Sequence, residues 1–145
     1  MEILTRDMIL KLLDTGTTEF RDKDLSRLDL SHKQLNNISF IGCDLSFALL
    51  NDTIMDKCSF QNCNLNNAIF DYTIMKKSSF CNSNMCSSTF KTSNLRQVTF
   101  NRCYLKNVDF SNSILRHNSF IDSMLYNAIF NNTTWNVFKC EKEIL

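Results

Sequence analysis

SFIGCDLSFALLNDTIMDKC, residues 39–58, is followed without a gap by SFQNCNLNNAIFDYTIMKKS (59–78), SFCNSNMCSSTFKTSNLRQV (79–98), TFNRCYLKNVDFSNSILRHN (99–118) and SFIDSMLYNAIFNNTTWNVF (119–138). Set under one another, these blocks of twenty place like residues beneath like. Within them every fifth residue is Phe, Leu or Met, with Trp135 closing the series. A looser block, EFRDKDLSRLDLSHKQLNNI (19–38), carries the pattern back to Phe20. Neither a helical period of 3.6 nor a simple alternating strand generates a strict five.

Two residues before each large residue stands a mostly small one, as at Cys43, Ala48, Thr53, Cys58, Cys63 and Ala68. Large and small residues two apart point to the same side of an extended segment. Four inward large residues in each unit of twenty close a four-sided coil, and successive coils stack about 4.8 Å apart. Phe40, Phe60, Phe80, Phe100 and Phe120 then form one ladder. Phe is expected on two opposite faces, with Leu or Met on the other two. Each buried Phe or Leu contributes about 1.5–3 kcal/mol. The fold class is therefore an all-β solenoid, a parallel β-helix of about six coils. With no proline and two glycines in the chain, Asn and Ser must form the turns.

Segments such as Ala68-Ile69-Phe70, Cys63-Asn64-Leu65 and Asp24-Leu25-Ser26 resemble the pentapeptide-repeat family, whose loose motif is Ala-(Asp/Asn)-Leu-x-x. The resemblance spans residues 19–138. It implies a right-handed quadrilateral β-helix. This chain departs from the motif in favouring Phe and in replacing its Ala by Ser, Cys and Thr. The best-known activity in that family is topoisomerase protection, in which members resembling B-form DNA in shape and negative charge bind DNA gyrase as dimers joined through their C-terminal ends. Gyrase modulation by DNA mimicry is thus an alternative reading that the resemblance implies. The charge opposes it: residues 19–138 hold ten acidic and twelve basic side chains, a net of +2. A phosphate mimic needs a negative surface. No recognisable dimerisation extension follows the last coil.

The ends read differently from the middle. Residues 1–18 are expected to form a capping helix and turn, 19–138 the β-helix, and 139–145 a C-terminal tail. A helix over about 5–14, with Thr5 as N-cap and Gly16 as stop, would cover the first coil. Its Met8, Ile9, Leu12 and Leu13 would face the core, and Phe138, Ile144 and Leu145 are candidates to close the far end. The seven cysteines contain no Cys-x-x-Cys pair. They read as reduced thiols serving as small apolar fillers, with Cys43, Cys63 and Cys103 inward and Cys81 and Cys86 outward. No run is long and apolar enough to span a membrane. Met1-Glu2-Ile3-Leu4 lacks the start of a signal peptide, so the cytoplasm is the expected compartment.

Catalysis finds no constellation to rest on, and no cofactor or metal is expected. His32 and His117 lie about four coils apart, and a solenoid filled by its own side chains leaves no roomy pocket. The chain reads as a non-enzymatic protein-interaction scaffold, and three outer surfaces are candidates. In the related family the residue before each large one points outward and is polar. Here it is apolar at Leu49, Ile54, Ile69, Ile74, Ile114 and Ile129, a candidate partner surface. Tyr104, Met124 and Tyr126, with Lys106 beside them, form a candidate aromatic patch. Lys76, Arg96 and Arg116 in one column, with Lys57, Lys77 and His117 in the next, form a candidate basic edge. A protein partner suits these surfaces best. A homodimer, and weak nucleic-acid binding along the basic edge, are the further partner classes.

Overall fold

The computed structural model describes residues 1–136 and 139–141. Its main sheet has seven parallel strands, running from Glu19–Arg21 through Ser39–Ile41, Ser59–Gln61, Ser79–Cys81, Thr99–Asn101 and Ser119–Ile121 to Lys139–Glu141. Each strand pairs with the next at a shift of twenty, so Phe40 lies against Phe60, Phe60 against Phe80 and Phe80 against Phe100. The other faces keep the same register through single bridges such as Asp44 with Asn64, Leu49 with Ile69 and Ile54 with Ile74. The molecule is a parallel β-solenoid. The six expected coils supply the first six strands. Lys139–Glu141, read in the sequence as tail, adds the seventh. Phe138, Ile144 and Leu145 lie outside the described residues.

The inward ladder forms as the spacing requires. Phe60 and Phe80 stack with ring centroids 4.7 Å apart, and Phe70 and Phe90 do the same on the opposite face. The two stacks meet edge to face across the core, at 6.0 Å for Phe60 and Phe70. Such pairs add about 0.5–1.5 kcal/mol beyond burial. Backbone hydrogen bonds tie each coil to its neighbours, as when Leu45 N donates to Asn64 O at 2.7 Å and Asn64 N to Cys43 O at 3.0 Å.

The corners impose one unusual demand. Two residues after each large one, the backbone turns through the left-handed region. Twenty-two non-glycine residues from Asp22 to Asn132 sit there, and Gly42 occupies the same kind of corner. Asn and Asp tolerate that conformation best after glycine, which accounts for Asn62, Asn67, Asn82 and Asn107. Many corners are closed by a hydrogen bond from the next small residue to the large one, such as Ala68 N to Leu65 O at 3.1 Å.

The small residues do more than fill space. Ser93 Oγ donates to Phe70 O of the preceding coil at 2.8 Å and accepts from Thr73 N at 3.2 Å. Cys58 Sγ donates to Leu35 O at 2.8 Å, and Cys63 Sγ to Phe40 O at 3.3 Å. The reading of these cysteines as plain apolar fillers therefore needs correction, because their thiols also satisfy buried carbonyls. Alanine could not, which explains why Ser, Cys and Thr replace it here.

The N-terminal cap also differs in detail. The helix is Arg6–Asp14, and Thr5 caps it by accepting from Met8 N. A short strand, Glu2–Ile3, precedes it and pairs with Lys23–Asp24. Ile9 is buried beside Leu4, while Leu10 and Leu13 pack against the core. Met8 and Leu12 are exposed, contrary to expectation. The helix lies across the first coil on its Ile9 side, so the stripe turned inward is 9, 10 and 13.

Phe80→Ala should lower unfolding stability by about 3–5 kcal/mol through the cavity it leaves in the stack. Ser93→Ala should cost about 0.5–1.5 kcal/mol, since it removes one hydrogen bond each from Phe70 O and Thr73 N, which keep only their bonds within the coil below. Denaturant titration measures both. A neutral Ser93→Ala would show that the hydroxyl ladder contributes nothing.

Candidate functional site

The outer surface is built on the residue preceding each inward one. Where that residue is Asp or Asn, its side chain caps the following turn. Ser26 N donates to Asp24 Oδ1 at 2.9 Å, Ser46 N to Asp44 Oδ1 at 2.8 Å, Cys86 N to Asn84 Oδ1 at 3.2 Å and Ser111 N to Asp109 Oδ1 at 2.9 Å. The hydroxyl and then the backbone amide of Ser31 hold the Asp29 carboxyl below its ordinary value, and Ser26 does the same for Asp24. Burial pushes Asp109 up, but Ser111 and Lys91 together outweigh it, and its net shift is downward.

Leu49, Ile54, Ile69, Ile74, Ile114 and Ile129 stand at these same outward positions and cannot supply that cap. The structure divides them. Leu49 lies beside Ile69 and Ile54 beside Ile74, on consecutive coils. Asn94 separates Ile114 from Ile74, and Thr89 and Asp109 separate Ile129 from Ile69. Two aromatic residues that the five-residue reading passed over belong with the first group. Phe47 and Tyr72 occupy left-handed corners and are 45% and 59% exposed. Arg27 covers the Phe47 ring, its guanidinium carbon 4.6 Å from the centroid. Phe47, Leu49, Ile69, Tyr72, Ile54 and Ile74 thus form one largely apolar strip that wraps a corner within residues 39–78, its four aliphatics half-buried and Asp52 exposed at the corner between Leu49 and Ile54. An outward signal existed in the sequence, at the residue two after each large one. There an aromatic is costly and Asn is cheap.

The next corner along carries Lys57, Lys76, Lys77, Arg96 and Arg116, directly beside the face of Ile54, Ile74 and Ile114. None of the five forms an ion pair with a described residue. Asp56 shares their edge, where it accepts from Lys76 N at 2.7 Å. The Arg116 Nε is buried and meets no hydrogen-bond partner among the described residues, and His117 is exposed at the far end. On the opposite side of the solenoid Tyr104 stacks beside Met124. Lys106 lies over Tyr126, 5.8 Å from its ring centroid.

Chemistry of other kinds finds little. The exposed His32 approaches Asp52 at 3.9 Å. Among the described residues no group of three His, Cys, Asp or Glu side chains could hold a metal ion, and no helix is long and apolar enough to cross a membrane. Cys43, Cys58, Cys63, Cys81, Cys86 and Cys103 are all free thiols. Burial pushes Cys58 and Cys103 up to about 11. Cys63 is pushed up as well, first by its hydrogen-bonded neighbour Cys43 and then by burial.

Comparison with known proteins adds the following. Residues 53–130 match the family model described as pentapeptide repeat region. No curated protein sequence matches at a significant level. Among solved structures, a pentapeptide repeat protein, Rfr23, from the cyanobacterium Cyanothece 51142 is 16% identical, over 88% of this chain and 97% of that one, with a TM-score of 0.49. HetL of Nostoc sp. strain PCC 7120, involved in heterocyst differentiation regulation, is 11% identical over 94% of each chain, with a TM-score of 0.37. QnrB1, a plasmid-mediated fluoroquinolone resistance protein, is 14% identical over 81% of this chain and 82% of that one, with a TM-score of 0.33.

Two predictions follow from the titrating groups. In a Cys140→Ser background at mildly alkaline pH, a thiol reagent should modify Cys81 and Cys86 first. Cys43, Cys58, Cys63 and Cys103 should react only on unfolding, because burial blocks access and because Cys58, Cys63 and Cys103 are also held in the unreactive protonated form. Uniform reactivity across all six would contradict the packing. The lowered Asp24, Asp29 and Asp109 contribute stability that is present above the unfolded carboxylate value and is lost as pH falls through the folded one. Unfolding midpoints should therefore stay flat above about pH 5 and fall below about pH 4.

Proposed function

The chain belongs to the pentapeptide-repeat family, and from that premise we propose that it acts as a non-enzymatic protein-interaction scaffold, with the apolar strip of residues 39–78 as its contact surface. The observation that carries this reading is the grouping of Phe47, Leu49, Ile69, Tyr72, Ile54 and Ile74 on two consecutive coils. Scattered surface aliphatics are ordinary, whereas a grouped and rimmed apolar patch marks a contact. Composition at the corners supports the same reading. A side chain other than Asn, Asp or Gly in the left-handed region is strained by about 1–2 kcal/mol; eleven corners carry one, and Phe47 and Tyr72 are the two among them that turn a large apolar ring to solvent.

The neighbouring edge narrows the partner. Lys57, Lys76 and Lys77 present positive charge along one border of the strip, and Arg96 and Arg116 continue that edge over the next two coils; none of the five is in an ion pair with a described residue. A protein segment that is apolar on one side and acidic on the other fits both. Electrostatic attraction of this kind speeds encounter and weakens as salt rises. A negative, DNA-like surface is not what this chain offers, so gyrase modulation by mimicry stands second. Free buried thiols suit a reducing compartment such as the cytoplasm.

The test is affinity capture from the source cell, using the full chain and an Ile69→Lys/Ile74→Lys variant. The expected result is a partner retained by the first and lost by the second, with both chains equally folded by circular dichroism. Capture that is unchanged by the double substitution would remove the strip from the interface. Sedimentation at high concentration separates a foreign partner from self-association. Tyr72→Asn has two readouts. It should raise stability by about 0.5–1 kcal/mol by relieving the corner, and it should weaken capture. A loss of stability instead would show that Tyr72 is held by the fold rather than kept for a partner.

A further inference from the structure

A regular solenoid has flat walls, because each column repeats residues of similar size. One column departs from that rule in a way that leaves a groove. On the face opposite Ile54 and Ile74, the outward residues run Asp24, Asp44, Asn64, Asn84, Tyr104 and Met124, each bridged to the next. At the step from Asn84 to Tyr104 the ring stands out from the wall, 55% exposed. The step creates an open groove of about 350 Å³ on one side of the ring and a recess of about 180 Å³ on the other. The larger lies at the low end of the ~300–1,000 Å³ typical of small-ligand sites.

Five amides and a tyrosine, namely Asn62, Asn64, Asn66, Asn82, Asn84 and Tyr104, line the larger groove with the buried Cys63, and no charged residue joins them. The architecture uses only part of their capacity. Asn64 and Asn84 commit their oxygens to turn amides, and Asn64 Nδ2 donates to Asp44 at 3.2 Å. Among the described residues no partner takes the side-chain amides of Asn62 and Asn82 or the Nδ2 of Asn84. Asn66 Oδ1 is buried and unpaired, a state that usually has a reason.

We propose that this groove binds a neutral carbohydrate chain, with a pyranose ring stacked on Tyr104 and its hydroxyls bonded to the amides. Sugar hydroxyls both donate and accept, as amides do. The C–H face of a pyranose is apolar enough to cover an exposed aromatic ring. An anion would find no cation in the groove, and a wholly apolar ligand would leave the amides unpaired at a cost. The pairs Asn62/Asn82 and Asn64/Asn84 recur one coil apart, about 4.8 Å, close to the spacing of successive sugars in an extended β-1,4-linked glycan. The site lies on the face opposite Ile54 and Ile74 and adjoins the Phe47 end of the apolar strip, where Phe47 N donates to Asn66 O at 2.9 Å, but none of its lining residues belongs to that strip.

Cellotetraose and chitotetraose are suitable neutral probes, followed by saturation-transfer NMR and calorimetry with the full chain. The expected result is saturable binding of at least one. Tyr104→Ala should weaken it about tenfold, and Asn82→Gly, which removes the amide and keeps the left-handed corner relaxed, about three- to tenfold. Tyr126→Ala, at the neighbouring corner, should leave it unchanged. Raising salt should not alter the affinity, since the ligand carries no charge. All three side chains are exposed, so unchanged melting curves certify the variants. Binding of neither tetrasaccharide overturns the proposal, as does binding that survives Tyr104→Ala. Tighter binding of adenosine at the same groove would overturn the carbohydrate assignment and make the site one for a nucleobase.

Discussion

Everything in this molecule depends on the exact superposition of one coil on the next. The backbone of each coil is satisfied by its neighbours, and the Phe and Leu side chains are packed by their counterparts twenty residues away. Neither term works without the other. A shift of one residue would turn the inward set outward along an entire face. A shift of five would keep large residues inside but would stack Phe on Leu or Met. The recurrence of Phe on two opposite faces therefore rejects a shift of five, and closure of a four-sided coil selects twenty over ten. The edge-to-face contacts between Phe60, Phe70 and Phe80 lock the two stacks against each other across the core.

That regularity leaves two kinds of outward position with some freedom, and they differ in what they cost. The residue before each large one can be an Asp or Asn that caps a turn, or an apolar residue that forgoes the cap. The corner residue must accept a left-handed backbone whatever its identity. Choices against local preference at both kinds of position coincide around Phe47, Leu49, Ile69 and Tyr72. Departures from local preference concentrate where a protein has a use for them. The basic corner beside Ile74 follows the same logic more weakly, because charge on an edge also discourages unwanted pairing.

The five-residue ladder made the fold legible, since only a four-sided coil accounts for Phe60, Leu65, Phe70 and Met75 together. The inward placement of Cys43, Cys63 and Cys103 followed from it. Other features were hidden for physical reasons. Hydroxyls and thiols at Ser93 and Cys58 occupy positions that size alone explains, so their hydrogen bonds to carbonyls one coil away could not be seen in a list of small residues. The capping helix has Met8, Ile9, Leu12 and Leu13 on one arc, and only its tilt on the first coil decides that Ile9 is buried and Met8 is not. Lys139–Glu141 lost the five-residue signal and still pairs, because an exposed sheet edge recruits backbone without regard to side chains. Phe47 and Tyr72 fell outside a search organised around the large inward residue. The apolar and basic candidate residues were each named from the sequence, but their adjacency around a corner appeared only in three dimensions.

The corners have a consequence for how such a chain can change in length. Because each group of five residues occupies one side of the square, gaining or losing five residues rotates everything downstream by a quarter turn. The apolar strip would stay where it is, while Tyr104 and the cations of Arg96 and Arg116 would move to other sides. A change of twenty residues preserves every bearing and alters only the distance between features. Inheritable length variation is therefore quantised. Whole-coil duplications adjust spacing between surfaces, single-repeat duplications reassign their compass direction, and any other step breaks the register of all that follows.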